Sequence, residues 1–201
     1  MTPSSMPFSP PPIGPLPWLA TCVDTEFAAG DSVLDVLLAG QAMTRCLMAR
    51  YTRLRAQGPS ADPLRAGLAR RLCAELAVQL QIEEELFYPE LRQVLIDSAP
   101  VDQAEVEHEC MRELSTRLMD MAPDDPMFDA RVMVLGELLE LHLAREAQQI
   151  YPMALRAPLD FSALGLALVQ RRDELLADIA DSAGGERLEN ESADPVGEPP
   201  R

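Results

Sequence analysis

The chain has 201 residues, of which 47% are hydrophobic and 4% aromatic, and 33 acidic residues against 17 basic ones give it a net charge of −16. So acidic a chain repels nucleic acid and anionic membranes, which excludes both as expected partners. It carries no apolar run long enough for a membrane span and no signal-like N-terminal segment, so we expect a cytoplasmic protein.

The composition divides the chain into four segments. Residues 1–28 form a Pro-rich leader and residues 184–201 an acidic tail, and both are expected to be disordered. Residues 29–158 hold four helical patterns, at about 31–57, 60–95, 102–121 and 127–155, and residues 159–183 hold a shorter fifth. These lengths predict an all-α fold, an antiparallel up-down four-helix bundle with a short extra C-terminal helix and disordered termini.

Two local features qualify the helical pattern. Pro89 lies inside the second helix, which is expected to kink or end there. The four cysteines, at positions 22, 46, 73 and 110, show no CxxC spacing, so buried thiols are favoured over disulfides.

The second and fourth helices share a motif in which a polar residue precedes a glutamate by four positions. In the second helix these are Gln79 and Glu83, and in the fourth they are His142 and Glu146. Both segments then close on an aromatic-Pro pair. Because positions i and i+4 share one face of a helix, His142 and Glu146 can reach the same metal ion, while Gln79 offers a poorer ligand.

These polar residues interrupt apolar stripes, and the other two helices show the same feature. Gln41 lies on the apolar side of the first helix and His108 on that of the third. Any one such residue is most simply a hydrogen-bonded core group. Taken together, four helices that each place a potential ligand in mid-stripe favour an internal metal site.

At these residues the chain resembles the hemerythrin-like (HHE cation-binding) family. The run Glu83-Glu84-Glu85 with Phe87-Tyr88-Pro89 is similar to that family's second helix. Glu107-His108 matches its third helix, and Leu135-Gly136-Glu137 with His142, Glu146 and Tyr151-Pro152 matches its fourth. The resemblance implies a non-haem di-iron centre bridged by carboxylates inside the bundle.

The chain departs from the family where Gln41 and Gln79 replace the first- and second-helix histidines. The resemblance then leaves His108, His142 and Glu146 as metal ligands, with Glu83 as a bridge or fourth ligand, and makes Gln41 and Gln79 degenerate positions. It implies one iron ion in preference to two, with zinc or no metal as alternatives. Binding or sensing of O2, peroxide, NO or iron is the expected function.

An alternative stays open beside the metal site. The two glutamines are close to histidine in length, and they could bond to Glu83 and to each other in a metal-free polar network. The chain would then be a scaffold or protein-interaction bundle with an unidentified partner. An enzyme, in the form of a weak peroxidase, is the least favoured hypothesis, and no nucleophilic or phosphate-binding motif supports any other catalysis. Tyr88 and Tyr151 are expected to pack, and Glu84 and Glu85 to face solvent.

Overall fold

A computed structural model of the chain describes residues 32–58 and 62–192, and within these ranges all regular structure is helical. The helices are α1 Val33–Arg55, α2 Asp62–Ile82, α3 Tyr88–Val94, α4 Ala99–Met119, α5 Phe128–Arg145, α6 Tyr151–Ala154 and α7 Phe161–Ser192. The predicted leader at residues 1–28 lies outside the described residues, as do residues 193–201 of the predicted tail.

Local sequence signals set the helix boundaries. Ser32 caps α1 through a capping box in which its side chain accepts from the Asp35 backbone N–H, while the Asp35 carboxylate accepts from the Ser32 N–H. Gly58 follows α1 with a φ of 81°, a left-handed conformation that favours glycine. Pro100 lies in the first turn of α4, where its missing N–H costs no helical bond, so this helix begins earlier than the predicted residue 102.

Two π-helical turns join α2 to α3 and α5 to α6. They span Glu83–Phe87 and Glu146–Ile150, and in each the backbone N–H of the following tyrosine donates to the carbonyl of the first glutamate. The next residue is a proline, which has no N–H and cannot make a helical hydrogen bond. The wider π turn accommodates the missing bond, so the helix continues beyond it. We call the four long helical stretches of the bundle rods, namely α1, α2 with its π turn and α3, α4, and α5 with its π turn and α6. The second rod continues past Pro89 to Val94, and both π turns begin at a predicted ligand position.

The apolar core is divided into two clusters. One contains Val33 of α1, Leu91 of α3, Val101 of α4 and Ala154 of α6. The other lies toward the opposite helix ends and includes Tyr51, Ala69, Leu118 and Phe128. Because each cluster joins the start of one rod to the end of the next, successive rods run in opposite directions, as the predicted up-down bundle requires.

The C-terminal helix α7, which corresponds to the predicted fifth helix, covers one side of this bundle. α7 packs on α1 and α2 and places Leu168 and Leu175 in the first cluster. It continues to Ser192, beyond the predicted end at residue 183, so residues 184–192 are helical where a disordered tail was predicted. The strong helix formers in Glu186-Arg187-Leu188-Glu189 favour that continuation.

The cysteines differ from the expectation of four buried thiols. Cys73 is a buried free thiol, whereas Cys110 is a free thiol on the exposed face of α4. Cys46 is disulfide-bonded, and Cys22 lies outside the described residues. The described helices include none that combines the length and the apolar character of a membrane span.

Candidate metal centre

A layer of polar side chains crosses the bundle between the two apolar clusters. Its members are at most 5% exposed, and they are Gln41, Thr44, Gln79, Glu83, His108, His142 and Glu146. Every position that the sequence singled out as a ligand or a degenerate ligand lies in this layer. The predicted convergence of these six side chains on one interior site is therefore what the fold contains.

Three of these residues form the tightest group. The two histidine Nε2 atoms are 3.2 Å apart, and Glu83 Oε2 lies 3.3 Å from Nε2 of His108 and 3.9 Å from Nε2 of His142. The residues come from α4, α5 and the π turn after α2. One nitrogen or oxygen atom of each lies within 4.8 Å of the others.

The donor atoms of this group suit a metal ion. Two ligand atoms that each lie about 2.1 Å from one ion, with a ligand–metal–ligand angle of roughly 90° to 109°, are roughly 3.0–3.4 Å apart. The distance between the two histidine nitrogens falls in this range. Glu83 Oε2 is fully buried and has no hydrogen-bond partner, a costly state that a bound cation would relieve. The residues therefore fit the kind of ion that the site would hold.

The opposite edge of each imidazole contacts a second carboxylate. His108 Nδ1 lies 2.9 Å from Glu84 Oε1, and His142 Nδ1 lies 3.1 Å from Glu107 Oε2. An arginine holds each of these glutamates in turn, Arg112 for Glu84 and Arg145 for Glu107. The prediction that Glu84 faces solvent is therefore wrong. Its side chain is 29% exposed and turns inward, because His108 approaches from the neighbouring helix.

The two glutamines donate hydrogen bonds to the two buried carboxylates. Gln79 Nε2 donates to Oε1 of Glu83, and Gln41 Nε2 donates to Oε2 of Glu146 over 2.7 Å. The hypothesis that glutamine bonds to Glu83 describes Gln79 correctly. Gln41 instead pairs with Glu146 and with the hydroxyl of Tyr151.

Glu146 is close to the group of three but has other partners. Its Oε2 lies 3.4 Å from His142 Nε2. The hydroxyl of Tyr88 donates to its Oε1 over 3.2 Å, and the hydroxyl of Tyr151 donates to its Oε2 over 3.1 Å. Glu83, and not Glu146, therefore supplies the free carboxylate oxygen beside the histidines. Both tyrosines, expected to serve in packing, also place their hydroxyl groups in the site.

Electrostatics separate the two buried carboxylates. Burial disfavours the charged form of Glu83, but its contacts with His108 and His142 outweigh burial and hold its pKa at about 2. Burial and the negative charge of Glu83 together raise the pKa of Glu146 to about 7. Glu83 thus stays ionised at neutral pH, while Glu146 is poised to hold or release a proton.

The carboxylates around the two histidines raise the pKa of both imidazoles. Burial lowers the pKa of His142, but its contacts with Glu107 and Glu83 prevail and raise that pKa to about 10. The pKa of His108 is raised in the same way by Glu83 and Glu84. Burial, followed by the charges of the two central glutamates, raises the pKa of Tyr88.

Sequence patterns alone did not predict the contacts of the two histidines with Glu84 and Glu107, or those of the two arginines with the same glutamates. The Arg112 and Arg145 guanidinium groups follow the histidines at i+4 and i+3, a spacing that indicates a shared helix face. No pattern within a single helix could show that Glu84 and Glu107 meet the histidines, because each contact joins two different rods.

Comparisons with known proteins agree with this architecture. The family model described as Hemerythrin HHE cation binding domain matches residues 34–154. The fold is similar to the crystal structure of a hemerythrin HHE cation binding domain-containing protein from Mycobacterium kansasii, with a TM-score of 0.59 and 20% sequence identity, over 73% of this chain and 88% of that one. At that identity the likeness concerns the fold. No functionally curated protein matches the chain.

The family match extends from the first to the fourth rod and includes all six ligand and degenerate-ligand positions. It agrees with the buried histidine–glutamate group described above, which is a candidate metal-ion site. The chain belongs to the hemerythrin HHE cation-binding domain family.

Proposed function

We propose that this protein binds a single iron ion between Glu83, His108 and His142, and uses it to bind or sense a small molecule. The observation that carries the proposal is the orphaned Oε2 of Glu83, buried 3.3 Å from one histidine Nε2 and 3.9 Å from the other. Two imidazole nitrogens and one carboxylate oxygen converge there, and the imidazoles approach that oxygen without forming a hydrogen bond to it.

One ion is favoured over two because of the glutamines. An amide group is a weak ligand for iron compared with imidazole. Gln79 and Gln41 also direct their NH2 groups toward Glu83 and Glu146, so each presents a hydrogen-bond donor to a carboxylate that would otherwise coordinate a second ion. Gln41 of α1 and Gln79 of α2 therefore support a hydrogen-bond network, while His108 of α4 and His142 of α5 support a metal together with Glu83 from the π turn after α2.

Iron is favoured by the donor set. Two histidines and one carboxylate with open positions are the ligands of many non-haem Fe(II) sites, while zinc accepts the same three groups. Bound iron would supply affinity for O2, peroxide or NO. Each of these ligands is small, as a site with His108 and His142 at most 1% exposed requires.

The protein's own groups would then act on the bound molecule. The Tyr88 hydroxyl lies 3.4 Å from His108 Nε2 and donates to Glu146 over 3.2 Å, so by turning away from Glu146 it could donate its one hydrogen bond to a ligand beside the histidines. Glu146, with a pKa of about 7, can hold a proton near the same point. The apolar clusters on either side exclude water from the layer.

A metal-free scaffold is the second candidate, and the glutamine contacts favour it. Both buried carboxylates receive an amide donor, and Glu146 receives two tyrosine hydroxyls in addition. Such a network can fold without a cation. Only Oε2 of Glu83 stays unsatisfied among its carboxylate oxygens.

Metal content separates the two candidates. The purified chain, loaded anaerobically with Fe(II) and desalted, is expected to retain about one iron per chain. The His108→Ala and His142→Ala variants are expected to retain almost none. Glu137→Gln, a substitution at an exposed position of α5, serves as the matched control and should retain iron like the unaltered chain.

Retention of no metal by the unaltered chain would support the scaffold. Two tightly held irons would show that the glutamines tolerate a full dinuclear centre.

A further inference from the structure

The contacts on the outer edges of the two imidazoles form a repeated arrangement. In each case a histidine and an arginine from one helix grip a glutamate from the neighbouring rod. His108 and Arg112 of α4 hold Glu84, and His142 and Arg145 of α5 hold Glu107. We refer to these two arrangements as the Glu84 clamp and the Glu107 clamp.

The distances within the clamps are those of charge-assisted hydrogen bonds. Arg112 Nη2 lies 2.8 Å from both oxygens of Glu84, whose Oε1 is 2.9 Å from His108 Nδ1. Arg145 Nε lies 2.9 Å from Oε1 of Glu107. The other oxygen of Glu107 lies 3.1 Å from His142 Nδ1. Each glutamate therefore offers one oxygen to a histidine while an arginine fixes its orientation.

A carboxylate only accepts hydrogen bonds, so a close Nδ1 must carry the proton. Because Nδ1 keeps its proton, Nε2 is the nitrogen of each ring that can give up its own proton and present a lone pair to a metal ion. The two Nε2 atoms are the ones that lie 3.2 Å apart and face Glu83. Fixing Nδ1–H on both rings thus aims both lone pairs at one point.

We propose that Glu84 and Glu107 are positioning residues that set the tautomer and orientation of His108 and His142, so that the metal is held through Nε2 of both. The inference rests on the proposed metal-binding function, which concerns the inner edges of the rings. Partners of this kind orient ligating histidines, and removing one typically weakens metal affinity about 10- to 100-fold.

The two clamps differ in their exposure to solvent. In the Glu107 clamp the glutamate and arginine side chains are 14% and 19% exposed, against 29% and 49% in the Glu84 clamp. In the less exposed Glu107 clamp, water competes less well for the hydrogen bond of the histidine. Water also replaces the glutamate as an acceptor less readily there when that glutamate is removed. Loss of Glu107 should therefore weaken binding more than loss of Glu84.

The chain offers a clean test because it contains only two histidines. In the metal-free protein, the hydrogen-bonded Nδ1–H groups should give two protected, low-field proton resonances in spectra of 15N-histidine-labelled protein. Glu84→Ala should remove the resonance of His108 alone, and Glu107→Ala that of His142 alone. This readout does not depend on metal.

Zinc serves as the diamagnetic probe of affinity, measured by competition with a chromophoric chelator. Both alanine variants are expected to bind zinc about 10- to 100-fold more weakly. Glu84→Gln and Glu107→Gln keep a carbonyl acceptor and should recover most of the loss. Glu85→Ala, which removes a surface ion pair with Arg171, is the matched control and should behave like the unaltered chain.

The results distinguish this inference from the proposed function. Alanine variants that keep both Nδ1–H resonances, or that bind zinc within about twofold of the unaltered chain, would overturn the positioning role while leaving the metal site in place. If the unaltered chain binds no zinc although the resonances respond as expected, the metal-binding function itself fails and the clamps are structural contacts only. The glutamine variants keep the size and shape of the side chain, which guards against loss of the fold.

Discussion

Gly40 of α1 lies directly against Gln79 of α2, at one of the two degenerate ligand positions. A Cβ atom added at Gly40 would lie 1.9 Å from Gln79 Oε1 and 3.0 Å from its Cδ. Gln79 in turn donates to Glu83. The absence of a side chain at position 40 therefore leaves the space that Gln79 needs to hold the Glu83 carboxylate.

Replacement of Gly40 by alanine tests this relationship. Helix propensity alone would favour alanine, yet we expect Gly40→Ala to lower the free energy of unfolding by about 1–3 kcal/mol, because Gln79 must move away from Glu83. Gly67→Ala is the matched control, since an added Cβ at that helical position meets nothing within 4 Å. That variant should gain about 0.5–1 kcal/mol. Urea denaturation measures both, and a stabilised Gly40→Ala protein would contradict the packing described.

Restoring histidine at both degenerate positions should enlarge the metal centre. In a Gln41→His, Gln79→His double variant, imidazole replaces the amide donors beside Glu146 and Glu83, and Gly40 leaves room for the ring at position 79. We expect the iron content after anaerobic loading to rise from about one toward two per chain. Iron analysis gives the count, and an unchanged content would show that the cavity itself no longer accepts a second ion.

The stability of the metal-free protein should fall as the solution becomes alkaline. The pKa of His142 is raised from 6.5 to about 10, so its contribution is complete below pH 6.5 and is lost as pH rises toward 10. The pKa of Glu146 is raised from 4.5 to about 7, so its contribution to stability is also lost as pH rises between those two values. The lowered pKa of Glu83 acts oppositely, and its contribution is lost as pH falls from 4.5 toward 2.

For these three groups together, the stability of the metal-free chain is greatest near pH 4.5, where the loss through Glu83 at lower pH and the loss through Glu146 at higher pH balance. Urea denaturation in the presence of a chelator, at intervals between pH 4 and 10, measures the profile. His142→Gln should flatten the part of the decline above pH 6.5. A stability that rises between pH 7 and 10 would show that His142 is not protonated in the metal-free fold.

The sequence predicted the bundle and the interior site because both depend on periodicity. Four apolar stripes, each interrupted by polar residues, predicted that Gln41, Gln79, His108 and His142 face the interior, and the polar layer contains all of them. Spacing along a helix determines which face a side chain occupies, so residues at i and i+4 were assigned together correctly.

Contacts between helices were beyond that reasoning. Glu84 follows Glu83 directly, and neighbours in sequence do not share a helix face, so periodicity assigned Glu84 to solvent. It reaches His108 because the two residues belong to adjacent rods, and it contacts the edge of the ring opposite to Glu83. The π turn that begins at Glu83 likewise depends on how the chain passes Pro89, which spacing alone cannot show.

The most direct test of the account is the position of the metal itself. Crystals of the iron-loaded chain, with diffraction data collected on both sides of the iron absorption edge, should show one anomalous peak within bonding distance of Glu83 Oε2 and of Nε2 of His108 and His142. A peak bonded elsewhere, a pair of equally strong peaks, or no peak in the polar layer of protein shown to be loaded would contradict it.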